Sequence, residues 1–190
     1  MFGQREFNLG LPPLSFFLME IKIPYSPFKK GAVLDKSYLL PDMGEAGPST
    51  LASPDVYLGW SEKGIAIMID QSSTADIDIF FDTRDQKESI VPTRFCHHFL
   101  FSPTVGAEIS RFRIEETRPL CDPHELFVKT DSYQKRQRTS IFIPAHCLYG
   151  YDPSSFSRLG FAYKLRVEDA KLFFNLEQRP AQWSSLQLHS

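Results

Sequence analysis

The feature that most limits this chain is a succession of short apolar runs, each stopped by Gly, Pro, Asp or Ser before it reaches the length of a helix. The runs cover residues 19–23, 56–60, 65–70, 77–82, 94–101, 109–117, 126–130, 139–144, 161–167 and 186–189. Each is rich in Ile, Phe, Val, Leu or Tyr and reads as a β-strand. In GIAIMID, Ile65, Ile67 and Ile69 share one face. In ISRFRIEET, Phe112 and Ile114 point one way while Arg111, Arg113 and Glu115 point the other. Glu62-Lys63-Gly64 between two such runs predicts a tight hairpin. Helices contribute little: PAHCLYG, with Pro at its start and Gly past its end, predicts a single turn. Short strands in series without intervening helices predict an all-β chain folded as an antiparallel β-sandwich.

A chain of 190 residues suits one domain and is long enough to bury a core without cross-links. Residues 41–54, PDMGEAGPSTLASP, predict a loop. The first 40 residues hold too little to form a core alone. The expected organisation is therefore an N-terminal arm, 1–50, packed on a sandwich, 51–190. The net charge of −2 implies no basic face, so no nucleic-acid partner is expected. The apolar LSFFLMEI is short and gives way to Glu20 and Lys22, which predicts neither a signal peptide nor a membrane span. Cys96, Cys121 and Cys147 form no CxxC and are odd in number. They are read as reduced thiols, and a soluble cytoplasmic protein with no membrane partner is expected.

The run SIFIPAHCLYGYDPSSFSRLGFAYKLRVED resembles the late strands of the family 9 carbohydrate-binding modules and their DOMON-like relatives. There, an I-P-A turn leads to L-G-F and a strand closing on an acidic residue. The hairpin VYLGWSEKGIAIMID followed by DIFFDTRD is similar to that family's early half, and RPAQWSSLQL to its closing strand. The resemblance spans residues 51–190. It implies a sandwich of jelly-roll type and a non-catalytic module that binds a glycan or another small polar ligand. Members of the family sandwich sugars between aromatic rings, and many hold calcium. Here Trp60 ends a strand and Trp183 precedes the last one, so both are expected to pack rather than stack on a ligand.

The chemistry-bearing residues cluster between 78 and 101, DIFFDTRDQKESIVPTRFCHHFLF. Alternation puts Phe95, His97, Phe99 and Phe101 on one face, where His97 is expected to be a buried neutral imidazole bonded to backbone or carboxylate. Arg94, Cys96, His98 and Leu100 take the other face. Asp82, Arg84 and Asp85 in DTRD have two readings: a capped turn with an arginine staple, or, with Arg94 and His98, a polar ligand pocket at one end of the sandwich. These five residues are the candidate binding site. Cys96 and His98, two apart on one face, are candidate zinc ligands, with Asp82 or Asp85 completing the set and a metal-dependent enzyme as the function. No catalytic residue and no cofactor are assigned, calcium and zinc being the ions to test. The remaining alternative is a protein-interaction or scaffold domain, with a protein partner or a homodimer formed through the apolar arm LPPLSFFLMEI. YQKRQR at 133–138 reads as a solvated basic hairpin tip, and Asp122 and His124 as turn formers.

Overall fold

Residues 64–71 alternate as expected, and the alternation decides the layering. Ile65, Ile67 and Ile69 are fully buried between two sheets. A computed structural model describes residues 21–27, 33–41, 52–112, 118–167, 170–174 (backbone only) and 180–189. Its strands are β1 (Ile21–Pro24), β2 (Asp55–Ser61), β3 (Gly64–Gln71), β4 (Asp76–Asp82), β5 (Cys96–Ser102) and β6 (Gly106–Ser110). They continue with β7 (Phe127–Tyr133), β8 (Arg136–Pro144), β9 (Arg158–Val167), β10 (Ala170–Phe174) and β11 (Ser184–His189). A seven-stranded sheet runs β1-β11-β9-β4-β5-β6, with β10 also on β9. A four-stranded sheet runs β2-β3-β8-β7. The fold is a β-sandwich whose described helical content is confined to 3-10 turns.

Side chains of period two fill the space between the sheets. Ile77, Ile79 and Phe81 of β4, Phe99 and Phe101 of β5, and Phe161, Tyr163 and Leu165 of β9 face the isoleucines of β3 and Ile141 and Ile143 of β8. Each such burial stabilises the fold by roughly 1.5–3 kcal/mol. Both sheets also carry cover on their outer faces. Leu34 and Tyr38 lie over Ala66 and Met68 of β3. Trp183 packs on Cys96 and Ala162, with Phe80 and Phe112 beside them. Both tryptophans therefore pack as expected: Trp183 is buried, and Trp60 donates from Nε1 to the His189 carbonyl at 3.2 Å.

Four features depart from the sequence reading. The sheets are not wholly antiparallel: β1 pairs parallel with β11, Ile21 opposite Leu186 and Ile23 opposite Leu188. The strand expected over 109–117 is β6, which ends at Ser110. Phe112 is turned onto the outer Trp183 cluster, and 113–117 lie outside the described residues. A strand not anticipated, β10, pairs with the second half of β9. Finally, Cys121 and Cys147 are not free thiols but a disulfide, brought together by the turns that flank β7 and β8. Their wide spacing in sequence hid a contact that only the sheet topology creates. Of the expected arm, residues 21–27 and 33–41 are described, and Ile21, Ile23 and Leu40 enter the main core.

Candidate functional site

β4 ends on Asp82, and the loop that follows is built around that carboxylate. Asp82 is fully buried. Its Oδ1 accepts the Arg84 N–H at 2.9 Å and its Oδ2 the Gln86 N–H at 2.8 Å. Burial raises its pKa, opposed by those two amide bonds. Thr83 Oγ1 donates to the Tyr149 carbonyl at 2.8 Å, tying the loop to the segment after β8. Asp85 takes a left-handed φ of 46°. Its Oδ2 accepts Ser185 Oγ at 2.6 Å and its Oδ1 faces Lys87 Nζ at 2.8 Å. Lys87 also donates to the Trp183 carbonyl. Asp82 thus caps a turn, and Asp85 fastens that turn to β11.

Among the described residues, no carboxylate holds Arg84. Its guanidinium lies 3.6 Å from the Phe156 ring centroid and 4.7 Å from that of Phe95. Nη1 donates to the Thr83 carbonyl at 3.0 Å and to the Gly150 carbonyl. A planar cation stacked on rings and bonded edgewise to carbonyls is a rigid element. Beside it opens a cleft of about 570 Å³ lined by Arg84, Asp85, Lys87, Ser155, Phe156, Ser157, Arg158 and Ser185. Phe156 is 41% exposed, so its ring is available to a ligand.

Of the five expected site residues, Arg84 and Asp85 line this cleft and Asp82 supports it from below. Arg94 reaches the same pole but stacks on Phe95 and Tyr149, at 5.0 and 5.7 Å. His98 belongs elsewhere. Asp82, Cys96 and Gly160 form one row across the large sheet, and Phe80, His98 and Ala162 lie two rows further along, on the same face. On its outer face His98 Nε2 meets Asp78 Oδ1 at 2.7 Å and stacks on Phe80 at 4.5 Å. Asp78 Oδ2 in turn faces Arg166 Nε at 3.3 Å. The cleft residues missed in the sequence are Lys87, Ser185 and the run Ser155–Arg158. Just before that run, Asp152 accepts the amides of Ser154 and Ser155 and turns Phe156 outward.

Cys96 and His98, the candidate zinc ligands, have separate partners. Cys96 lies under Trp183, where its Sγ accepts the Thr93 N–H at 3.3 Å. Burial, then the nearby Asp82 charge, pushes its thiol up to about 12. His97 is the buried neutral imidazole expected, with Nε2 3.2 Å from the Tyr149 carbonyl. Burial, reinforced by the Arg118 charge, lowers its pKa to about 3. The basic tip 133–138 is largely neutralised. Asp70 engages Arg136 Nε at 2.5 Å, Arg138 Nη2 at 3.2 Å and the Tyr133 hydroxyl, while Arg136 also meets Asp55 at 2.9 Å. Burial alone would raise the Asp70 pKa, but these hydrogen bonds bring it below the usual carboxylate range. Asp122 forms a turn, as expected, by capping the 3-10 turn Pro123–Glu125.

Two sheets in this order, closed by a β-strand pair from the ends of the described chain and ending in a polar, loop-built pole, define a β-sandwich with the fold of a family 9 carbohydrate-binding module. Two structures of such a module from Caldicellulosiruptor kristjanssonii are similar to this chain. The one in complex with glucose matches with a TM-score of 0.69 at 10% identity, over 90% of this chain and 96% of that one. The one in complex with cellotriose matches with a TM-score of 0.65 at 11% identity, over 90% and 94%. No family model matches the sequence, and no curated protein matches it.

Proposed function

We propose that this chain is a non-catalytic binding module whose ligand is a carbohydrate or another small polyhydroxylated molecule, held in the cleft beside Arg84. The observation that carries the reading is the cleft itself. About 570 Å³, it sets an exposed aromatic ring, Phe156, among three serine hydroxyls, two lysine or arginine cations and the rigid Arg84. An apolar platform with a few fixed polar groups is the usual composition of a small-ligand site, and a ring face suits the C–H surface of a sugar. The fold it shares with modules whose structures hold glucose and cellotriose supports the sugar class and the non-catalytic role.

Calorimetric titration with glucose, cellotriose and phosphosugars tests this. Phe156→Ala is expected to weaken binding by about tenfold, or about 1.4 kcal/mol, with unchanged unfolding midpoint. If none of these compounds raises the wild-type midpoint, the reading fails, since a ligand of the folded state must do so. A second surface is favoured by one observation: half-buried Phe80 and Phe112 flank the Asp78–His98–Arg166 group. Binding lost in His98→Ala but retained in Phe156→Ala assigns the ligand there.

Self-association through the arm concerns residues 1–20, outside the described ones. Concentration-dependent dimerisation abolished by removing residues 1–18 is its test. Compartment turns on the cysteines. A cytoplasmic setting keeps such a pair reduced, whereas an oxidising one preserves the disulfide. Mass spectrometry of alkylated protein taken directly from its cell decides between them.

A further inference from the structure

The disulfide has two polar neighbours. Cys121 precedes the 3-10 turn Pro123–Glu125, and Cys147 ends the 3-10 turn Ala145–Cys147 that follows β8. Asp122 caps the first turn, accepting the His124 N–H at 2.9 Å, while its own N–H donates to Glu125 Oε1 at 3.3 Å. This reciprocal cap fixes the direction of Glu125. The other carboxylate oxygen, Oε2, meets His146 Nε2 at 2.5 Å. One donor atom each from Glu125, His146 and Cys147 lies within 4.8 Å of the others, and Cys121 Sγ is bonded to Cys147 Sγ. An imidazole nitrogen, a carboxylate oxygen and one sulfur are therefore grouped together, with the second sulfur bonded to the first. Side-chain exposures of 62% for His146 and 46% for Glu125 leave that group open to solvent.

While the disulfide is intact its sulfurs cannot act as thiolates, the form that binds metal. A dithiol reductant changes this by exchange: the bond accepts two electrons, each sulfur takes up a proton, and the dithiol departs as its own disulfide. A divalent ion then displaces both thiol protons. We propose that reduction converts this cluster into a zinc site with Cys121, Cys147, His146 and Glu125 as its four ligands. Thiolate, imidazole and carboxylate are the donors zinc takes in tetrahedral sites, at about 2.0–2.3 Å. Calcium and magnesium, which take oxygen, do not suit a site with two sulfurs. The ion inserts between the Glu125 oxygen and the His146 nitrogen, the exposed His146 side chain moving to admit it. The strap joining the approach to β7 with the end of β8 is then closed in either redox state, by a covalent bond or by a metal.

The test uses the full chain, reduced with a phosphine under anaerobic conditions and titrated with cobalt(II) and zinc(II). Reduced protein is expected to bind one equivalent of cobalt, with the thiolate charge-transfer and ligand-field bands of a tetrahedral centre, and to release it to zinc. Oxidised protein is expected to bind none. His146→Ala, at an exposed position, keeps the fold and lowers affinity at least about tenfold. Cys96→Ala leaves binding unchanged. If reduction unfolds the metal-free chain, zinc restores its circular dichroism and cooperative unfolding, because only the folded chain assembles the ligands. The proposal is overturned by a folded reduced chain that takes up no cobalt. It is equally overturned by an unfolded reduced chain that zinc does not refold, or by cobalt bands that survive both Cys121→Ser and His146→Ala.

Discussion

His97 is 3% exposed, faces the Tyr149 carbonyl and has the Arg118 guanidinium 3.3 Å from its Nε2. Burial first, then that positive charge, takes its pKa from an ordinary 6.5 to about 3. The folded value lies below the unfolded one, so between them the unfolded chain binds more protons. The stability this neutral imidazole contributes is complete above pH 6.5 and is lost as pH falls toward 3. The slope is at most about 1.4 kcal/mol per pH unit. Urea unfolding across that range is expected to show a shallower decline for His97→Gln than for wild type. Cys96, with its thiol pushed up to about 12, is expected to resist iodoacetamide in the folded, reduced chain while Cys121 and Cys147 react. Asp82→Ala orphans two loop amides and is expected to cost about 2 kcal/mol or more in urea unfolding. That Asp82 caps a turn was legible, because an Asp at a strand end followed by Thr-Arg-Asp has few better uses. That Arg84 stacks between phenylalanines was not, because Phe156 is remote in sequence.

Among the elements, the β2–β3 hairpin depends on one glycine. Gly64 has φ +141°, and a Cβ there would come within 2.1 Å of the Ile143 carbonyl oxygen on β8. Gly64→Ala therefore forces apart two paired strands and is expected to destabilise by about 3 kcal/mol or more, measured by thermal unfolding. The Cys121–Cys147 bond closes a separation of 26 residues. Its reduction in metal-free buffer is expected to lower unfolding free energy by about 3.5 kcal/mol on the chain-entropy estimate. The strands themselves were readable wherever β-branched or aromatic residues ran between breakers, as in β3, β4 and β8. The reading failed after Ser110, where alternation continued through Arg111 and Phe112 although pairing had stopped. Alternation signals a surface with two faces, and a neighbouring strand must still be there to pair with it. The same limit hid β10, whose partner is the far end of a strand already recognised.

At the scale of the whole molecule, the cleft was beyond sequence reasoning because its walls come from three distant stretches: Ser185 stands 100 residues from the Asp85 it bonds. The fold needs distant segments as well. Ile23, wholly buried, comes from the strand that pairs with β11, and Leu40 joins the same core. A chain cut to residues 51–190 is expected to lose cooperative unfolding, and Ile23→Ala in the full chain to cost about 2–4 kcal/mol, both read by calorimetry. The parallel contact of Ile21 with Leu186 has a further consequence in time. During synthesis β1 emerges well before β11 and must wait for every strand between them before its partner exists. The edge of β9 that β11 will cover stays open over the same interval. Contacts of such long range are made late and slowly. The small sheet can pair as soon as β8 has left the ribosome, but the large one is completed only once residues 184–189 have emerged. The nascent chain therefore carries an uncapped β-edge until β11 emerges, and it is during that interval, more than in the folded protein, that this sequence is most exposed to pairing with other chains.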